Sequence, residues 1–162
     1  MIVVSNTSPL TNLACIGRFD LLRDLFGCIL IAPGVKDELT AQGRAWPGAA
    51  ETQAADWITQ QTPSNAPLIA SLRTQLDKGE AETIALAVEV QAGLCLLDER
   101  DGRHIAQAQG LRIMGVVGVL IAAKHSGLIP ALRPELDHLR NRAGFYLGNE
   151  VYTQALASVQ ED

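Results

Sequence analysis

Acidic and amide side chains recur just after the short apolar runs of this sequence. Asn6, Thr7 and Ser8 follow the run at 2–5 directly, Glu38 lies on the stretch after the run at 28–31, and Asp98, Glu99 and Asp101 follow the run at 94–97. Glu80 and Glu82 open the stretch that leads into that last run. If the runs are parallel strands, these positions gather outside the strands' C-terminal ends, where open α/β sheets bind ligands. Hard oxygen donors so placed suit magnesium, which takes one or two carboxylates plus waters and phosphate oxygens. Two such ions about 3.5–4 Å apart clamp the attacking and leaving oxygens of a phosphoryl displacement.

Each candidate also has a plain structural role open to it. Asp77 and Glu80 have capping-box spacing, with Asp77 as N-cap and Glu80 at the third helical position. At 3.6 residues per turn Glu82 lies about 200° round the helix from Glu80, so only one of the two can point directly at a common ion. Glu38 reads equally as an exposed helix carboxylate, and Asp98 as an N-cap for a helix beginning at Arg100. Arg100, Arg103 and His104 follow the strand-end acid and could neutralise phosphate, or form a solvated helix face. Lys124, His125, His138, Arg140 and Arg142 are weaker basic candidates of the same kind.

The elements that must position these residues alternate in type. Strands are expected at 2–5, 28–31 and 94–97, with an edge strand at 57–61, a last parallel strand at 112–114 and an extended segment at 145–147. Helices are expected at about 6–16, 20–26, 33–42, 49–56, 68–76, 79–91, 100–109, 115–125, 131–143 and 150–159, with loops at 43–48 and 63–67. The helix at 79–91 is apolar on two sides, through Ala81, Ile84, Ala85 and Val88 and through Leu86 and Val90, which places it between layers. Alternating strands and helices point to a parallel sheet covered by helices. With 162 residues, 48% hydrophobic and 19% charged, the chain reads as a single domain over 1–162 with its helices from about 130 packed on the core. Cys15, Cys28 and Cys95 sit in apolar runs and read as small buried hydrophobes of a reducing, cytoplasmic compartment. No apolar run is long enough for a membrane span. The net charge of −5 argues mildly against a polyanionic partner, unless the acids surround divalent ions that reverse the local sign.

Six stretches together resemble the PIN-domain superfamily, in the branch of small prokaryotic proteins related to VapC-type toxins: VVSNTSPLTNLACIGRFDLL, IAPGVKDEL, LDKGEAETIALAVE, LLDERDGRHIA, LRIMGVVGVLIAAKHSGLIPALRPELDHLR and AGFYLGNEVYTQAL. The resemblance implies a Rossmann-like three-layer α/β fold with a mostly parallel sheet of four or five strands. It implies a carboxylate cluster binding Mg²⁺ or Mn²⁺, and metal-dependent hydrolysis of RNA phosphodiesters. An antitoxin partner protein and a homodimer are further implications. Residue by residue, the second acid falls on Glu38 and the third on Glu82, with Glu80 as competitor. The fourth falls on Asp98, with Glu99 or Asp101 near enough to assist. Thr7 and Ser8 match small polar residues beside the first acid. At the first acid the sequence departs from the pattern, with Asn6 where the family usually has Asp. An amide carbonyl can coordinate a metal but brings no charge and cannot take a proton from water, so weaker metal binding and a slower or absent chemical step are expected.

The competing reading is a catalytically inactive RNA- or protein-binding module that keeps the fold. Chemistry through a strand-end Asp nucleophile is disfavoured, because the first strand runs into Ser5-Asn6-Thr7-Ser8. Asp98 alone could imitate a phosphoacceptor, but the acidic pair such sites need after the first strand is missing. Gly115-Val116-Val117-Gly118 lacks the Lys and the spacing of a phosphate loop.

Overall fold

The computed structural model describes residues 1–162, the side chain of Gln42 excepted. Five strands, β1 (Val3–Ser5), β2 (Ile29–Ile31), β3 (Ile58–Gln60), β4 (Leu94–Leu96) and β5 (Ile113–Met114), form one all-parallel sheet in the order β3-β2-β1-β4-β5. Every strand is short, and the central strands β1, β2 and β4 are buried on both faces, as a sheet covered on both sides requires. The side-chain period of two divides the core into two layers. Val3, Ile29, Ile31, Leu94 and Leu96 face one layer, and Val4, Cys95 and Leu97 face the other.

The first layer is built by α1 (Thr7–Cys15), α2 (Leu21–Phe26), α8 (Val116–His125), α9 (Arg133–Asn141) and α10 (Asn149–Ser158). The second is built by α5 (Ala66–Leu72), α6 (Lys78–Glu89) and α7 (Arg100–Ala108). Between β2 and β3 the chain forms α3 (Pro33–Leu39), a 3-10 turn (Ala41–Gly43) and α4 (Ala49–Ala54). The architecture is the three-layer α/β fold expected from the sequence. Helix α6 fills the place its two apolar sides require, with Ala81 and Thr83 to Ala87 all buried.

Helices α3 and α6 approach closely through two glycines. A Cβ on Gly34 would stand 3.2 Å from the Gly79 Cα, and a Cβ on Gly79 would stand 2.0 Å from Glu38 Oε1. The missing side chains therefore leave space both for the helix contact and for a carboxylate.

Several local expectations need correction. Residues 145–147 join no strand; they form the link between α9 and α10, with Tyr146 turned out to solvent. Helix α5 begins at Ala66, inside the expected 63–67 loop, because the Asn65 side chain accepts from the Leu68 N–H at 3.1 Å and caps it. Cys95 is buried, Cys15 is half-buried and Cys28 is exposed, since Cys28 precedes the point where β2 enters the sheet. Among the described residues no helix is long and apolar enough to cross a membrane.

Candidate active site at the sheet's switch point

The chain builds the sheet outward from β1 through β2 to β3, then crosses to add β4 and β5 on the other side. The reversal leaves a crevice between the C-terminal ends of β1 and β4, the place where open α/β sheets bind ligands. Asn6 and Glu99 meet across it. Asn6 is only 2% exposed and continues the ladder by donating its backbone N–H to Leu96 O at 2.9 Å. Its side-chain Nδ2 donates to Glu99 Oε2 at 3.1 Å. Its Oδ1 accepts from the Thr83 hydroxyl at 3.4 Å. The Ser8 hydroxyl donates to the second Glu99 oxygen, so an amide and a hydroxyl hold that carboxylate.

Two further carboxylates face this pair. Glu38 reaches over Gly79 from the last turn of α3. Burial pushes its carboxyl above the usual range, against the lowering effect of the Thr7 hydroxyl and the Gly79 N–H, while the charges of Asp77 and Glu99 push the same way as burial. The buried Thr7 hydroxyl is near enough to act on Glu38 but lies outside hydrogen-bond geometry and has no other partner. Glu80 stands in the first turn of α6. Burial, a hydrogen bond shared with Asp77, and the negative charges of Asp77, Glu99 and Glu38 push its carboxyl up to about 8. Asp77 also caps α6, accepting from the Glu80 N–H at 2.8 Å. The capping box and the acidic cluster thus share residues.

The sheet rim therefore brings together Asn6, Thr7, Ser8, Glu38, Glu80 and Glu99. Glu82 and Asp98, the positions expected for the third and fourth acids, are each bonded to the N-terminus of a neighbouring helix. Glu82 Oε1 accepts from the Gly34 N–H of α3 at 3.0 Å, and its other oxygen lies 3.9 Å from Lys78 Nζ. Asp98 accepts from the Val116 N–H of α8 at 3.0 Å. Burial pushes Asp98 up to about 6; the Val116 N–H and Arg103 lower it and Glu99 raises it. A carboxylate at a helix N-terminus meets unsatisfied N–H groups and the positive end of the helix dipole. Both acids therefore have a structural role that needs no ligand. Asp101 is exposed on α7. Arg100 and Arg103 stand with His104 along a shallow depression that begins at Asp98.

Thr83 was missed by sequence reasoning, although it lies three residues after Glu80 and so on the same side of α6. Asp77 was read only as a cap, yet it raises both Glu38 and Glu80.

The donors at this rim are all oxygens, and one buried hydroxyl among them lacks a partner, which is chemistry suited to a hard divalent cation. As the side chains stand, no three acidic, imidazole or thiol groups among the described residues converge on one point. Sharing an ion would require the carboxylates to rotate inward.

A family model described as a PIN domain matches residues 2–161. The chain belongs to the PIN-domain family. No curated protein and no solved structure matches it. PIN domains are a nuclease-type fold family, which agrees with acids gathered at the switch point of a parallel sheet.

Proposed function

We propose that this PIN domain is a metal-dependent ribonuclease, with Glu38, Glu80 and Glu99 as acidic ligands and Asn6 in the place of a fourth. The observation that carries the reading is the repulsion within the cluster. Burial, together with the charges of Asp77, Glu99 and Glu38, pushes Glu80 to about 8. A divalent ion is the natural counter-charge for such a group. When bound, Mg²⁺ or Mn²⁺ would supply a water of lowered pKa and offset charge on phosphate.

The chain's own residues perform the rest. Ser8 and Asn6 orient Glu99. The Gly79 N–H and the Thr7 hydroxyl stand near Glu38 and favour its charged form. The apolar layers on either side of the sheet exclude water from beneath the rim.

A second reading has its own observation. Asn6 uses its amide as a donor to Glu99, so one oxygen of that carboxylate is satisfied without a metal. A protein that binds RNA without cutting it would tolerate that arrangement. The test is an RNA-cleavage assay in Mn²⁺ with wild type, Asn6→Asp and Glu99→Gln. Cleavage by wild type that is lost in Glu99→Gln supports the nuclease. Cleavage by Asn6→Asp alone supports the non-cutting module, and cleavage by none of the three rejects the hydrolytic reading.

A further inference from the structure

At the β3 edge of the sheet, away from the crevice between β1 and β4, residues of β2, β3, α3 and α4 surround a cavity of about 310 Å³. That lies within the size range, about 300–1,000 Å³, of sites that take small molecules. Ile31 and Ile58 of the sheet and Leu39 of α3 form apolar walls. Helix α4 contributes alanines, Ala50 among them, and no side chain large enough to fill the space. None of the rim residues Asn6, Thr7, Ser8, Glu38, Glu80 and Glu99 lines it. The cavity is therefore separate from the acidic site.

Its lining selects for two features in a ligand. Unfilled apolar volume favours a hydrocarbon body, since wall atoms without neighbours forgo dispersion contacts. At roughly 30 Å³ for each water-sized group, the space holds about ten non-hydrogen atoms. Among the described residues that line it, Lys36 of α3 is the one with a charge. Among the described residues Lys36 pairs with no carboxylate, its neighbour Asp37 standing 3.4 Å from Lys78 Nζ instead. An ammonium donates and cannot accept, so its complement is an acceptor with a negative charge. Thr52 of α4 also lines the cavity, and its buried hydroxyl has no partner in the fold. Carboxylate oxygens accept from both kinds of donor. A phosphate favours the forked donors of arginine, and no arginine lines this space.

We infer that this cavity binds a small aliphatic carboxylate, its chain against Ile31, Leu39 and Ile58 and its head group at Lys36. The site does not depend on the ribonuclease reading of the acidic rim. Helix α3 is common to both, with Lys36 and Leu39 on the cavity and Glu38 reaching over Gly79 at the rim.

Calorimetric titration of octanoate, hexanoate and octanol into the whole chain tests it, in EDTA so that no carboxylate is drawn to a metal at the rim. Saturable binding of octanoate is expected, with a Kd of about 0.1–1 mM. Hexanoate should bind about tenfold more weakly, because its chain buries two methylenes fewer. Lys36→Met keeps an apolar stem and removes the charge. It should weaken octanoate about two- to fivefold and leave octanol unchanged. Ala50→Phe, at an exposed position, should fill the cavity and weaken both ligands by at least about tenfold. Circular dichroism should show both variants folded like wild type. Absence of saturable octanoate binding by wild type overturns the inference, and is the outcome if the space takes a peptide side chain instead. Equal responses of octanoate and octanol to Lys36→Met overturn the carboxylate, and undiminished binding by Ala50→Phe overturns the location.

Discussion

Glu80→Gln offers a reading of how burial and neighbouring charge together act on the acidic cluster. In the fold the Glu80 carboxyl titrates near 8, against an ordinary value of 4.5 in the unfolded chain. Between these values the folded protein holds a proton that the unfolded chain has released, so stability must fall as pH rises from about 5 to 8. Unscreened, the shift would be worth about 5 kcal/mol. Glu80 is part-exposed, and solvent screening reduces this to about 1–2 kcal/mol. In EDTA, urea unfolding at pH 8 should find Glu80→Gln more stable than wild type by about that amount, with the two nearly equal at pH 5. Added Mn²⁺ should reverse the order at pH 8, because an ion at 100 times its Kd stabilises the protein that binds it by about 2.7 kcal/mol. Parallel pH profiles for the two proteins in EDTA would refute the reasoning, since they would mean that neither burial nor the neighbouring charges act on Glu80.

Three further substitutions separate the site from the scaffold. Gly79→Ala places a Cβ 2.0 Å from Glu38 Oε1. The flexible carboxylate must move away, so the helix-propensity gain of up to about 1 kcal/mol should be largely offset in urea unfolding while Mn²⁺ affinity falls about tenfold. Asp98→Ala removes the acceptor for the Val116 N–H and should lower stability by about 0.5–2 kcal/mol, with Mn²⁺ affinity in calorimetry almost unchanged. Asn6→Asp replaces the donor to Glu99 with a like charge. In EDTA at pH 8 it should be less stable by about 2–3 kcal/mol, and in calorimetry it should bind Mn²⁺ more tightly than wild type.

The fold was legible because its signals are local. Alternation of short apolar runs with capped helical stretches specified a covered parallel sheet, and the two apolar sides of 79–91 placed α6 between layers. The rim of the sheet was legible for the same reason, since every strand of a parallel sheet delivers its next residues to one end. Which acid turns toward the crevice was not. Asp98 and Glu99 are neighbours at the exit of β4, and the direction in which the chain leaves the sheet sends one to α8 and the other to α1. That direction depends on where α8 docks, about eighteen residues later. Glu80 and Glu82 posed the same problem on a helix. Their 200° separation meant that one would face the crevice, but the choice lies in the Gly34–Gly79 contact, which turns Glu82 to the N-terminus of α3. The exposed Tyr146 had no sequence signal, because an isolated aromatic in an irregular link reads equally as core.

Calorimetric titration of Mn²⁺ into wild type, Glu38→Gln, Glu99→Gln and Glu82→Gln puts the cluster itself on trial. The expected result is saturable binding by wild type, a loss of at least about tenfold in affinity for Glu38→Gln and Glu99→Gln, and little change for Glu82→Gln. Absence of binding by wild type, or a loss confined to Glu82→Gln, would contradict the assignment of these acids to a shared cation.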